Sequence, residues 1–242
     1  MKRNSINAAK LVATLSVAVI LLAFGYSGAR LAATADESSS PANASQDELE
    51  RLLFHRPIPK ERDGEFRIGV KCAEGIHAEL TLYQAKNGRY ETILQCPAVI
   101  GMEGAGQCYD GLSITPLGTW TVGLAYGIKP DPGSVIPYQQ ITDDMYWCGD
   151  GSSINYNKLI YHSDDPTADH SEDEHLIDVG SRYNYLLDMG YNAPCAPYCG
   201  SALFLHCWLN KDFPTHGCVG ISEENMVKIL QTITPGTSIT IY

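Results

Sequence analysis

The strongest constraint on how this chain folds is a series of short strand-like segments separated by turn residues, with one long helical pattern near its end. Phe66 to Cys72 and Ala78 to Gln84 alternate or are β-branched, and Asn87-Gly88 ahead of Arg89 to Cys96 is a dipeptide that favours a two-residue hairpin turn. Trp120 to Gly127, Leu159 to His162, Arg182 to Met189, Ser201 to Cys207 and Ser238 to Tyr242 continue the series. Segments this short are stable only when they share a sheet. One helix is predicted after Ser222. Ser222 is its N-cap, Glu223 and Glu224 favour its first turn, Met226, Ile229, Leu230 and Ile233 form one face, and Pro235-Gly236 stops it. The expectation is a single mostly-β domain over 66–242 with few helices.

The chain has 242 residues, and the segment ahead of that domain differs in kind. Lys2, Arg3 and Lys10 precede an apolar run from Leu11 to Phe24, followed by Ala33-Thr34-Ala35. A charged start, an apolar stretch and a small-x-small site describe a secretory signal peptide over 1–35. The alternative is an uncleaved anchor, since Gly25 to Ala29 lengthens a run otherwise shorter than the roughly 20 residues of a membrane span. Either way the protein is read as exported to the cell envelope. Residues 36–65, rich in Ser, Ala, Asp and Glu with one short helical pattern at Gln46 to Phe54, read as a flexible tether.

Charge narrows the partner class. The sequence carries 17 basic and 28 acidic residues, a formal charge of −11. Loss of residues 1–35 removes four basic residues and no acidic one, deepening it to −15. A nucleic-acid backbone needs clustered Lys and Arg, so it is excluded as the main partner.

The most informative stretch runs from Ser201 to Ser222. An apolar strand delivers His206 at its end, a short polar loop with Pro214 turns back, and Thr215-His216-Gly217-Cys218 follows, four residues ahead of the helix N-cap. A thiol is nucleophilic as thiolate, and an imidazolium or a helix N-terminus lowers its pKa. Gly217 permits close backbone approach, so N–H groups around His216 to Cys218 suit the oxyanion of an attacked carbonyl. These are the parts of a cysteine acyl-transfer site. The same residues fit plainer roles: half of a disulfide at Cys218, a hydrogen-bonded strand-end histidine at His206, or a zinc site with Cys207 and His216 that lacks the tight C-x2-C spacing. Papain-type and caspase-type patterns do not fit, because His206 precedes Cys218 by only 12 residues.

His206, a loop, then Thr215-His216-Gly217-Cys218-Val219 resembles the signature of the L,D-transpeptidase catalytic domain, the YkuD-like family. Thr115-Pro116-Leu117-Gly118-Thr119-Trp120 and Gly200 to His206 are similar to two further segments of that family. The resemblance implies a mixed β-sheet or β-sandwich domain with a few short helices, acting without a cofactor or metal on peptidoglycan stem peptides. It implies Cys218 as nucleophile, His206 as proton donor and acceptor, and Thr215, His216 and Gly217 as support. An amine acceptor makes such an enzyme a transpeptidase and water makes it a carboxypeptidase; a disulfide-stabilised, non-catalytic wall-binding module is the further alternative. Two departures stand out: Gly220 occupies the place where many members carry Arg, and the loop from Cys207 to Pro214 is short.

Eight cysteines form an even set, but a nucleophilic Cys218 leaves seven, so another must remain unpaired. Cys207 is the candidate, because alternation turns it away from His206 into the core. Cys72, Cys96, Cys108, Cys148, Cys195 and Cys199 are then left for at most three bridges, with Cys195 paired to Cys199 or Cys148. The stretch from His162 to His175 holds three His and six acidic residues and reads as a solvated acidic loop, a divalent-cation site being the alternative.

Overall fold

The structure, a computed structural model, describes residues 45–242. The signal peptide or anchor expected over 1–35, and the start of the tether, lie outside the described residues.

Ten strands form one mixed sheet. Their spatial order is Gly118–Thr121, Ser238–Ile241, Phe66–Cys72, His77–Lys86, Arg89–Val99, Val219–Ile221, Phe204–Cys207, Leu186–Asp188, Ala125–Gly127 and Tyr138–Gln140. Asn87 and Gly88 both have positive φ, 54° and 76°, as the hairpin between the two longest strands requires. Three pairs are parallel: Phe66–Cys72 with Ser238–Ile241, Phe204–Cys207 with Val219–Ile221, and Ala125–Gly127 with Tyr138–Gln140.

The strand expected over Trp120 to Gly127 is two strands. Gly118–Thr121 pairs with the C-terminal strand at one end of the sheet, whereas Ala125–Gly127 lies at the other. The linker of three residues spans only about 14 Å at full extension. The sheet therefore curls until its two ends approach. Arg182 to Met189 also departs from expectation: Leu176–Tyr183 forms 3-10 turns kinked at Gly180, and only Leu186–Asp188 is strand.

The helix Glu223–Leu230 forms as predicted. Ser222 Oγ accepts the Asn225 N–H at 3.3 Å, and Met226, Ile229 and Leu230 are fully buried. Each such side chain contributes about 1.5–3 kcal/mol through burial. They join Phe204, Leu205, Val219 and Ile239 in one core, so the strands bearing His206 and following Cys218 are fixed from below.

The tether reading fails over its described part, 45–65. Gln46–Phe54 is a helix docked on the outer face of the sheet, with Phe54 stacked on Tyr83 at 4.4 Å and 1% exposed. Gly69 makes this fit, since a Cβ there would lie 3.0 Å from the Phe54 ring. Gln46 donates to the Cys72 carbonyl, Lys71 pairs with Asp47 and Glu50, and Asp63 accepts the N–H groups of Asn87 and Gly88. The polar composition concealed a docking surface supplied by distant residues.

Candidate active site

Parallel pairing brings His206 and Cys218 together. In the register Leu205 faces Val219 and His206 faces Gly220, so Cys218, one residue before its strand, falls beside Phe204. The Phe204 N–H donates to Cys218 Sγ at 3.3 Å, and the thiol is aimed at the Ala202 carbonyl at 3.4 Å. His206 Nδ1 lies 2.9 Å from the Cys207 carbonyl. A carbonyl only accepts, so Nδ1 carries the proton and Nε2 is left with its lone pair, the form of a proton acceptor. The Tyr183 ring stands edge-on to the imidazole at 5.5 Å and holds its plane.

Burial governs both ionisations. It pushes the Cys218 thiol up to about 12, against a smaller lowering by the Phe204 N–H. It drives His206 down to about 4. The free protein thus holds a neutral thiol and a neutral imidazole. The helix N-terminus expected to lower the thiol does not act on it, because the strand Val219–Ile221 separates Cys218 from the helix by about 10 Å.

The loop carrying Cys218 is clamped from two sides. Thr215 Oγ1 donates to the Cys218 carbonyl at 2.6 Å and accepts the Gly217 N–H at 3.2 Å. Thr115 Oγ1 donates to the same carbonyl at 3.2 Å and accepts the Gly101 N–H at 2.8 Å. Gly217 has φ 127°, and a Cβ there would lie 2.9 Å from Leu203 Cδ2 and 3.1 Å from the Ile114 carbonyl. The Gly217 N–H is committed to Thr215, so among the backbone donors expected for an oxyanion it is not open. His216 is exposed, with Nδ1 3.2 Å from Ser113 Oγ.

Cys218 and His206 line a small pocket of about 100 Å³ together with Glu174, Val179, Arg182, Tyr183 and Pro214. His216 lies between this pocket and an open groove of about 660 Å³ bordered by Asp110, Asp150 and Glu172. Thr115 as a brace, and Glu174, Arg182 and Tyr183 as wall residues, were not expected from the sequence. Glu174 falls in the acidic loop and Arg182 at the start of a segment expected to be strand, and only the folded chain brings them to the pocket wall. The Glu174 carboxyl accepts the Tyr183 hydroxyl at 2.6 Å, and burial raises its pKa.

None of the at most three expected bridges is present: all eight cysteines are free thiols. Register explains Cys72 and Cys96. Cys96 faces Leu80, which faces Val70, so the two cysteines are two strands and two residues apart. That is about 10 Å or more, beyond the roughly 7 Å limit for a disulfide. Cys195 Sγ is directed at the Ala193 carbonyl at 3.6 Å. Cys207 is buried, its thiol donating to the Tyr185 carbonyl at 3.4 Å. In the acidic loop, His170 and His175 stack on the two faces of Tyr146 at 4.3 and 4.2 Å. Among the described residues no three metal-ligating side chains gather.

Residues 76–241 match the family model of the YkuD L,D-transpeptidase catalytic domain. No curated protein matches the chain. Among solved structures, the chain is similar to one titled "Structure of Bdellovibrio bacteriovorus Bd1075", at 16% identity and a TM-score of 0.41, covering 77% of this chain and 51% of that one. It thus spans about half the length of that structure.

Proposed function

The chain belongs to the L,D-transpeptidase catalytic domain family, and from that premise we propose that it is an exported cysteine acyltransferase acting on peptidoglycan stem peptides. The observation that carries the reading is the His206 tautomer: Nδ1–H is held by the Cys207 carbonyl and Nε2 is basic, in the pocket that contains Cys218.

In this account the Cys218 thiol turns from the Ala202 carbonyl as substrate enters and gives its proton to His206 Nε2. Sulfur bonds to the carbonyl carbon of the third stem residue, and backbone N–H groups about Cys218 receive the developing oxyanion. Collapse breaks the C–N bond to terminal D-Ala, whose nitrogen takes the proton back from His206. An acceptor amine then attacks the thioester, its proton passes through His206 to the departing sulfur, and the free thiol returns. Thr215, Thr115 and Gly217 hold the loop in place throughout, and His216 borders the groove by which stem and acceptor approach. The chemistry uses no metal or cofactor.

The 660 Å³ groove supports a peptide acceptor over water. The free thiol at Cys218 supports an enzyme over a disulfide-stabilised wall-binding module. Export rests on the N-terminal sequence, which also offers the membrane contact through an uncleaved anchor. Incubation with purified tetrapeptide muropeptides tests the reading: D-Ala release with cross-linked dimers is expected, and trimmed tripeptides alone would indicate a carboxypeptidase. Saturable binding to sacculi without any change in muropeptides would contradict it.

A further inference from the structure

The Cys218 pocket contains a cation with nothing to pair with. Of the other described arginines, Arg51 and Arg62 pair with Glu48 and Glu65, Arg67 lies over Tyr90, and Arg56 and Arg89 are exposed. Arg182 has no ion pair or hydrogen bond among the described residues, although the protein has a large acidic excess. Its position is built: the 3-10 turns of Leu176–Tyr183, with the Gly180 kink, set Val179 and Arg182 on the pocket wall, one residue from the Tyr183 ring that meets His206. Glu174, the acid that shares the pocket, accepts the Tyr183 hydroxyl instead of meeting the guanidinium. Arg182 is half-buried, so leaving it unpaired forgoes a strong bidentate interaction.

The shape and charge of the site indicate what completes it. A cavity of about 100 Å³ holds only a few heavy atoms, against the roughly 300–1,000 Å³ that surround a drug-sized ligand. Arg182 is its only permanently charged cation, since a Cβ at Gly220 would lie 2.8 Å from Val99 Cγ2 and the strand after Cys218 can supply none. The groove outside is bordered by Asp110, Asp150 and Glu172 and has no Lys or Arg. Inside the pocket Arg182 stands beside Glu174, whose carboxyl is taken up by the Tyr183 hydroxyl, whereas the groove outside offers only carboxylates. A peptide with a free carboxylate at the end that enters and amines at the end that stays out fits that arrangement.

We propose that Arg182 is the carboxylate-binding residue of this pocket and that it receives the free α-carboxylate of the substrate's terminal residue, the residue expelled on acylation. The proposal rests on the acyl-transfer reading for the identity of the peptide. Recognition by a planar guanidinium makes the carboxylate a requirement for productive entry: an amidated terminus leaves Arg182 unpaired, as it is in the free protein.

The test uses two synthetic tetrapeptide stems, one ending in D-Ala with a free carboxylate and one in its carboxamide. Calorimetric binding is measured on Cys218→Ala, alone and combined with Arg182→Gln or Arg182→Lys, and acylation is followed by mass on the wild-type thiol. Cys218→Ala is expected to bind the acid about 10- to 100-fold more tightly than the amide. Adding Arg182→Gln brings the acid down to the level of the amide and leaves the amide unchanged, while Arg182→Lys retains part of the preference. Equal loss for both peptides, no preference in Cys218→Ala, or binding of neither peptide overturns the proposal. The acylation arm separates the two readings. Discrimination in binding without any thioester removes the acyltransferase and keeps the carboxylate site; thioester formed equally from both peptides does the reverse.

Discussion

Thr115 and Thr215, a hundred positions apart, donate their hydroxyls to one acceptor, the carbonyl of Cys218. Each hydroxyl also accepts a backbone N–H, from Gly101 and Gly217 respectively. The nucleophile's own peptide group is thereby tied both to the loop it sits on and to the separate Thr115–Pro116 segment, which explains why two motifs so distant in sequence belong to one site.

Thr115→Val keeps the shape and deletes the hydroxyl, which strands the buried Gly101 N–H. The expected cost is about 1–3 kcal/mol of stability, with slower acylation by a stem peptide. Denaturant melts and single-turnover rates on the same preparation check both. An unchanged acylation rate would show that the brace does not position Cys218.

Gly217→Ala places a Cβ at a φ that side chains rarely adopt and 2.9 Å from Leu203 Cδ2. The strain is about 1–3 kcal/mol before any repacking, and the loop relieves it by shifting Cys218. Acylation is expected to fall by more than about 100-fold while circular dichroism stays near that of the parent, because Leu203 is the one core side chain among the atoms nearest the new methyl. Parental activity in this variant would refute the close packing of the loop.

The pH profile follows from burial. His206 has a pKa of about 4 and Cys218 of about 12, so both stay neutral across the middle of the range. The kcat/KM for acylation, which reports the free enzyme, should be flat from about pH 9 to 5 and fall only as His206 protonates toward pH 4. Stability carries the same signature. The unfolded histidine, near 6.5, binds its proton before the buried one, so the contribution is complete above pH 6.5 and is lost as pH falls toward 4, about 3 kcal/mol in all. His206→Gln removes that slope from the stability curve. A kinetic limb near pH 6.5 would place the imidazole in water rather than in the core.

Phe54→Ala probes the docked N-terminal helix. Loss of a buried phenyl ring costs about 3–5 kcal/mol where the site cannot collapse. Here the ring lies on the outer face of the sheet, remote from the Cys218 pocket, so thermal unfolding should move to lower temperature while acylation at 25 °C is unaffected. A parallel loss of acylation would mean that the helix supports the site.

The strands, the Asn87-Gly88 turn and the capped helix were legible because alternation, turn chemistry and the 3.6 period are local. So was the placing of His206 and Cys218 on neighbouring strands, which depends on a short loop between two apolar segments. Four things were not. The helix at Gln46–Phe54 looked like a tether because its docking surface, Gly69 and Tyr83, lies elsewhere in the chain. The disulfides followed from counting cysteines, whereas the spacing across the sheet forbids at least Cys72 with Cys96. Glu174 and Arg182 lie in a two-residue strand and in 3-10 turns, too short for a sequence period to mark which side chains turn inward, and the depressed thiol expected from a helix N-terminus was displaced by the strand that precedes it.

In the proposed reaction Cys218 forms a covalent acyl-enzyme. Intact-protein mass spectrometry after incubation with a carbapenem measures it most directly, since ring opening adds the whole mass of the drug to the sulfur that attacks. One adduct is expected on the wild-type protein and none on Cys218→Ala with its fold retained. An adduct on both proteins, or on neither, would contradict it.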